Sequence, residues 1–125
     1  MIAKASVEGE TLVYKIATAD QWAEAVACGR FTGSPDDLRD GFIHLSSRAQ
    51  LTGTANRYFS GLRGLVVAAF RVVDLEGHLR WEPSRGGDLF PHYYGALPAR
   101  GACWVRPLPL DDVGRPCVDE TLLAR

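Results

Sequence analysis

The residues best suited to chemistry lie in two stretches of the sequence, residues 42–46 and residues 80–94. In the first stretch, His44 is followed closely by Ser46 and Ser47. An imidazole can bind an anion or transfer a proton near neutral pH, and serine hydroxyls can hydrogen-bond a phosphate, a carboxylate or a ribose. Because side chains alternate along a strand, His44 and Ser46 are expected to face a cleft or solvent.

A helix is predicted to begin directly after this strand. Ser47 and Gln50 have the spacing of a capping box. The first turn of a helix presents unpaired N–H groups and the positive end of the helix dipole, which favour an anion. The junction is therefore predicted to form one wall of a ligand cleft, with His44 as a catalytic candidate. The alternative is that His44 is a partly buried strand residue and that the serines only cap the helix.

The segment 80–94 supplies the second group of candidates. Glu82 is a candidate general base or a partner for a ribose hydroxyl. The segment also contains candidate ligand-binding side chains that stack on rings, pair with anions or hydrogen-bond: Trp81, Arg85, His92 and Tyr94. The alternative is a surface loop with local ion pairs, whose aromatic residues pack on the core.

Composition and charge limit the classes of function. The 125 residues carry a net charge of -1 at pH 7, which gives no global attraction for nucleic acid or anionic membranes. No run approaches the roughly 20 apolar residues of a membrane helix, and the first ten residues contain no apolar signal core. We therefore expect a cytoplasmic protein whose partner is a small molecule bearing phosphate or carboxylate.

No metal site is predicted. The three cysteines are an odd number without Cys-x-x-Cys spacing, and the three histidines are too widely spaced for a metal-binding motif. A disulfide framework is not expected either.

The elements that must position these residues are predicted from hydrophobic periodicity. Strands are predicted at 12–17, 41–45, 65–73, 79–82 and 102–105. The continuous apolar run at 65–73 is typical of a central strand that is buried on both faces. Residues 31–40 and 84–98 are rich in turn-forming residues and read as loops.

Two capping boxes predict the two main helices, one opening at Thr18 and one at Ser47. No linker or repeat divides the chain. The sequence thus predicts one α+β domain over residues 1–125, with a core at about 12–109 and terminal tails. Its sheet is expected to be small, mixed or antiparallel, with about five or more strands.

Four motifs resemble those of a widespread bacterial family known as domain of unknown function 952. They are Tyr14-Lys15-Ile16, Asp40-Gly41-Phe42-Ile43-His44-Leu45-Ser46-Ser47, Leu79-Arg80-Trp81-Glu82-Pro83, and the stretch at 89–98 that begins Leu89-Phe90-Pro91-His92. The resemblance covers roughly residues 12–109. It implies a family but not a reaction.

The first two motifs are also similar, more distantly, to the ADP-ribosyltransferase-like fold, particularly the NAD-using RNA 2′-phosphotransferases. Those enzymes carry a Tyr-His-Gly-Thr strand and later a His-Ile-His-Leu strand; here Lys15 stands in place of the first histidine. The similarity implies a split sheet that grips NAD or an ADP-ribose-like ligand, with Lys15 in the cleft. It also implies that Glu82 orients the attacking group.

The leading hypothesis is an ADP-ribosyltransferase-like domain that binds or transforms an NAD-like, ADP-ribose-like or other phosphorylated small molecule. Its reaction would be ADP-ribosyl or related group transfer, with NAD as the candidate cofactor. Two alternatives stay open. One is a noncatalytic ligand-sensing or interaction module, and the other is a small hydrolase that uses His44 and Glu82 without NAD.

Overall fold

A computed structural model describes residues 12–124 of the chain. Its strands are β1 Leu12–Thr18, β2 Arg30–Phe31, β3 Ile43–His44, β4 Leu65–Arg71, β5 Leu79–Pro83, β6 Leu89–Tyr93, β7 Leu97–Pro98 and β8 Trp104–Pro107. Its α-helices are α1 Ala19–Cys28, α2 Pro35–Asp40, α3 Arg48–Phe59, α4 Val72–Leu75 and α5 Glu120–Leu123. The predicted α+β class is confirmed.

The strands form three sheets in which the strand pairs are antiparallel. One sheet has the order β1-β4-β8, another has the order β3-β6-β5, and β2 pairs with β7. β4 is the central strand of the first sheet, as its continuous apolar sequence predicts. Tyr14 and Ser46 exchange two backbone hydrogen bonds of 2.9 Å, so that the edge of the first sheet meets the end of β3.

Two hydrophobic clusters cover the two faces of the first sheet. Val13 and Phe70 lie in the cluster that includes Trp22 of α1, whereas Val67 lies in the cluster that includes Leu51 of α3. Burying each large side chain stabilises the fold by about 1.5–3 kcal/mol. β1 is therefore held between two cores, which fixes the position of the side chains that it contributes to the site.

The two long helices begin where their capping boxes predict. Thr18 and Ser47 accept hydrogen bonds from the backbone N–H groups of Gln21 and Gln50, respectively. α1 ends at Gly29, whose φ of 90° is readily adopted only by glycine. The local signals for these helices were therefore sufficient.

Two segments that read as loops contain regular structure. Residues 31–40 include α2, which begins at Pro35, a residue preorganised for the first helical position. Residues 84–98 include β6, the central strand of the second sheet, although Pro91 lies within it. Proline usually argues against a central strand because it cannot donate a ladder hydrogen bond. Here the Pro91 carbonyl accepts from the backbone N–H of Leu45 at 3.0 Å.

None of the helices between residues 12 and 124 has the length and apolar composition needed to cross a membrane.

Candidate functional site

A cavity of about 220 Å³ opens where β1, α2, α3 and the end of β3 come together. Four of the residues predicted from the sequence line it: Lys15, His44, Ser46 and His92. Three aspartates that sequence reasoning missed line it as well: Asp36, Asp37 and Asp40 of α2. The structure therefore brings together two imidazoles that lie far apart in the sequence.

The His44 network consists of Lys15, Ser34, Asp37, Asp40 and His44. Oδ2 of Asp37 accepts from Nζ of Lys15 at 2.9 Å and from the backbone N and Oγ of Ser34 at 2.9 and 3.0 Å. Oδ1 of Asp37 accepts from the backbone N–H of His44 at 3.0 Å and lies 2.6 Å from its ring Nδ1. Nε2 of His44 lies 2.9 Å from Oδ2 of Asp40. His44 is thus held between two carboxylates.

The charges of this network are set by burial and by hydrogen bonds. Burial alone would raise the pKa of Asp37, but hydrogen bonds from His44 and the charge of Lys15 outweigh it and hold that pKa well below its usual range. Burial lowers the pKa of Lys15, and Asp37 offsets part of this effect. Both pKa values are thus lowered, which favours the charged form of Asp37 and disfavours that of Lys15. Five hydrogen bonds stabilise the Asp37 carboxylate, whereas the hydrogen bonds of the Lys15 side chain within the described residues are those to Asp37 and to the His44 carbonyl.

The exposed end of the network is an ion-pair chain. Nε and Nη2 of Arg39 donate to the two carboxylate oxygens of Asp40 at 2.9 and 3.2 Å, and Nη1 lies 3.3 Å from Asp36. The hydrogen bond from Arg39 lowers the pKa of Asp40. Asp40 is therefore an ionised acceptor at the mouth of the cavity.

The His92 network consists of Glu82, His92 and Tyr94. Oε1 of Glu82 lies 2.8 Å from Nδ1 of His92 and accepts from the Tyr94 hydroxyl at 2.7 Å. Both hydrogen bonds lower the pKa of Glu82, and the one from His92 has the larger effect. The hydrogen bond to Glu82 raises the pKa of Tyr94. His92 itself is buried. Glu82 and Tyr94 lie outside the cavity lining and act on it through His92.

The two networks share one face of the β3-β6-β5 sheet. His44 is directly opposite His92 in the strand register, with ring centroids 5.7 Å apart. The Phe42 ring stacks on His92 with centroids 4.0 Å apart and lies 4.8 Å from His44. The alternation predicted for β3 thus holds: His44 faces the cavity and Ile43 is buried in the core.

Other predicted site residues lie elsewhere. Trp81 packs against the hydrophobic cluster that contains Phe70, on the face of β5 opposite Glu82, and it does not line the cavity. Its apolar ring is more stable in the core than on the polar face. Ser47 is the N-cap of α3, which corresponds to the structural alternative. The side chain of Arg85 lies outside the part of the chain that the structure describes, so its ligand-binding role stays a prediction.

Sequence reasoning missed the aspartates because α2 read as a turn. The signal that could have found Asp37 is its position three residues after Ser34, the spacing at which a side chain folds back to the helix start. Among the described residues, no three His, Cys, Asp or Glu side chains are grouped so as to hold a metal ion. The arrangement can bind hydroxyl groups at its carboxylates and transfer protons at its two imidazoles.

The fold and the site define a small α+β domain with a histidine–carboxylate cleft. The chain belongs to the family described as Protein of unknown function (DUF952), whose model matches residues 16–105. The family resemblance of its motifs is thereby confirmed.

Two solved structures of protein CC0527 from Caulobacter crescentus are similar to the chain. The X-ray structure has a TM-score of 0.86 and 43% sequence identity, covering 90% of this chain and 99% of that chain. The solution NMR structure has a TM-score of 0.81 and 43% identity, covering 92% and 99%. No curated protein matches the sequence. These structures share the fold of the chain, and their descriptions name no activity.

Proposed function

We propose that the cleft binds a ribosylated small molecule, NAD or an ADP-ribose-like compound, with a ribose inside the cavity. The observation that carries this proposal is the set of carboxylates and imidazoles around one cavity: Asp36, Asp40, His44 and His92. A carboxylate is the group with which nucleotide-binding proteins commonly hold ribose hydroxyls. The resemblance to the ADP-ribosyltransferase-like fold and its split sheet makes NAD the first ligand to test.

The charge of the lining favours a ribose over a phosphate as the group inside. Among the described side chains of the cavity, the two lysine and arginine cations are already paired, Lys15 with Asp37 and Arg39 with Asp36 and Asp40. A phosphate in the cavity would meet three aspartates and no uncommitted cation from this set. Hydroxyl groups, in contrast, donate to carboxylates at no charge penalty. The ligand's phosphates would therefore lie outside, toward solvent.

The size of the cavity also supports a ligand whose ribose lies inside and whose phosphates lie outside. A volume of about 220 Å³ is below the roughly 300–1,000 Å³ typical of pockets that enclose a drug-sized ligand. It suits one part of a dinucleotide, such as a ribose with the edge of its base. Lys15 supports this site through Asp37 and is not itself a ligand contact in the proposal.

Calorimetry with NAD, ADP-ribose and ribose 5-phosphate tests the proposal. His44→Asn retains an amide N–H that can replace Nδ1 as a donor to Asp37 but lacks Nε2. It is expected to weaken binding about tenfold or more, the loss of one good polar contact. The matched control is His78→Asn, because His78 is exposed and contacts the Tyr94 carbonyl instead of the cavity.

Three outcomes would count against the proposal. Absence of binding heat for all three compounds would reject the ligand class. Equal affinity of His44→Asn and the native protein would place the ligand elsewhere. Equal weakening in His78→Asn would show that the effect is not specific to the cavity.

Two roles are candidates for the bound state of the protein. Group transfer from NAD would require a nucleophilic acceptor, and a noncatalytic sensor would bind without turnover. Product analysis by chromatography after incubation with NAD separates them, since only an enzyme releases nicotinamide. The arrangement of the two imidazoles favours a third role, which is hydrolysis of the bound ligand.

A further inference from the structure

We propose that the cleft hydrolyses the glycosidic bond of a riboside, with His92 as the general base and His44 as the general acid. This inference rests on the proposed binding of a ribosylated ligand. It changes the role predicted for Glu82, which becomes a positioning residue that acts through His92.

The two imidazoles are placed as a pair by the sheet. His44 and His92 occupy directly opposed positions of β3 and β6, so their side chains leave the sheet on the same face. Their ring centroids are 5.7 Å apart, and both residues line the cavity. A ligand that enters the cavity therefore meets both rings at once.

Within the part of the chain that the structure describes, the hydrogen-bonding partner of the His92 ring is at Nδ1, which leaves Nε2 as an acceptor. Glu82 can only accept hydrogen bonds when ionised, and it takes one from the Tyr94 hydroxyl and one from Nδ1 of His92. Nδ1 therefore carries the hydrogen, and in the neutral ring Nε2 keeps its lone pair. The stacked ring of Phe42 holds the plane of the imidazole. His92 is thus oriented to accept a proton at Nε2.

The partners of His44 call for the opposite state. Its Nδ1 lies 2.6 Å from Asp37 and its Nε2 lies 2.9 Å from Asp40. Because each ionised carboxylate is an acceptor, both contacts are satisfied only when both ring nitrogens carry hydrogen. The Nδ1 side is bound to a buried carboxylate, whereas Asp40 is one-third exposed and can be replaced by the leaving atom of a ligand. His44 is thus oriented to donate a proton from Nε2.

With His92 as the proton acceptor and His44 as the proton donor, one hydrolytic step can be written. Nε2 of His92 takes a proton from a water molecule, and the water oxygen forms a bond to C1′ of the ribose. The bond from C1′ to the leaving nitrogen or oxygen breaks, and its electron pair goes to that atom. A leaving atom that would otherwise depart as an anion is protonated by Nε2–H of His44, whereas nicotinamide leaves NAD as a neutral base and needs no proton. Water is the co-reactant, and the products are the free ribose hydroxyl and the released base or alcohol. Proton exchange with solvent restores both imidazoles.

The charge of the lining suits this step. Hydrolysis at C1′ passes through an oxocarbenium-like transition state that carries positive charge on the sugar. The three aspartates of the described lining are balanced by Lys15, Arg39 and the doubly protonated His44, so the lining gains a net negative charge as His44 gives up its proton. Carboxylates near a developing cation stabilise it. A phosphoryl transfer, whose transition state is anionic, would not gain from the same surroundings.

The decisive experiment measures nicotinamide released from NAD and phenol released from phenyl β-D-ribofuranoside, with ligand binding measured on the same variants. His92→Asn keeps a donor for Glu82 but lacks the Nε2 base. At saturating ligand it is expected to lower release about 100-fold or more, the usual contribution of general acid–base catalysis. At saturating ligand, His44→Asn should lower release of phenol similarly but release of nicotinamide much less, because nicotinamide leaves as a neutral base. The control His78→Asn should lower neither.

The outcomes separate the two proposals. If the native protein binds NAD or the riboside but releases no product from either, hydrolysis is rejected and the binding proposal stands. If it binds neither, the binding proposal itself fails. Release that survives in His92→Asn would reject His92 as the base.

A spectroscopic measurement tests the assignment of roles without any ligand. Nitrogen-15 NMR of the histidine rings should show hydrogen on both nitrogens of His44 and only on Nδ1 of His92. Glu82→Gln should shift His92 toward a different tautomer while His44 is unchanged, which a merely structural role of Glu82 would not produce. Hydrogen on Nε2 of His92 in the native protein would overturn the assignment.

Discussion

The His44 network and the His92 network place similar groups on one face of the sheet, but they differ in depth. The Asp37 side chain is 1% exposed, whereas that of Glu82 is 34% exposed. Asp37 also ties together three parts of the chain, since β1, the segment before α2 and β3 all donate to it. The Glu82 contacts join only two neighbouring strands.

Because of this difference, Asp37 is expected to support the fold, whereas Glu82 is expected mainly to set the protonation state of the His92 imidazole. A buried carboxylate that is bonded on all sides holds its surroundings together, and removing it leaves charged or polar partners without water. A carboxylate near the surface can be replaced by water when it is lost. We therefore expect substitutions in the His44 network to change stability and those in the His92 network to change mainly the state of one ring.

The largest effect is expected for Asp37→Ala. It leaves the buried ammonium group of Lys15 without its carboxylate, and breaking a buried ion pair in this way costs about 3–5 kcal/mol of the free energy of unfolding. Urea denaturation measures the change. Asp36→Ala is the matched control, since that side chain is in the same helix but 67% exposed. Equal denaturation midpoints for the two variants would remove the basis of the comparison.

A smaller loss is expected for Lys15→Met, which keeps an unbranched chain of similar length. Asp37 retains its donors from Ser34 and His44, so the loss should be about 1–3 kcal/mol, the usual penalty for one missing partner. Lys15→Met combined with Asp37→Ala should cost less than the sum of the two single changes, because the ion pair is then removed as a unit. Simple additivity in urea denaturation would contradict a direct coupling.

Acid should weaken the His44 network more than the His92 network. The folded pKa of Asp37 lies below its ordinary value of 3.8, so the unfolded chain takes up this proton at a higher pH than the folded one. The stability due to Asp37 is therefore present above about pH 4 and falls as the pH drops toward the folded pKa. Urea midpoints measured across this pH range should depend less on pH in Asp37→Asn than in the native protein. A greater loss of pH dependence in Glu82→Gln would reverse the comparison.

The smallest effect is expected at the exposed end of the His44 network. Arg39→Ala removes ion pairs of a side chain that is 68% exposed, and such pairs contribute little to stability because water and salt screen them. The urea midpoint should stay within error of the native value at moderate salt. A clear loss would extend the structural role of the network to the surface of α2.

Local patterns in the sequence determined a large part of the fold. The capping boxes at Thr18 and Ser47 are interactions between residues close together in the chain. The central position of β4 and the orientation of His44 were indicated by local patterns of apolar and polar residues. Hydrogen bonds at the start of a helix and the two-residue period of a strand need no knowledge of the rest of the molecule. The motifs around these elements also indicated the family.

Which carboxylate each histidine contacts was decided only by the tertiary structure. Asp37 reaches His44 because the short helix α2 folds back on β3, and Glu82 reaches His92 because β5 pairs with β6 in one register. Alternation along β5 places Trp81 and Glu82 on opposite faces, and the packing of the sheet decides that the face of Trp81 is the apolar one. Sequence spacing carries almost no information about such contacts, since they depend on which strands pair and on the burial that fixes each charge. The sequence by itself marked His44 as a catalytic candidate and His92 as a ligand-binding candidate, and the packing of the chain gave each its carboxylate.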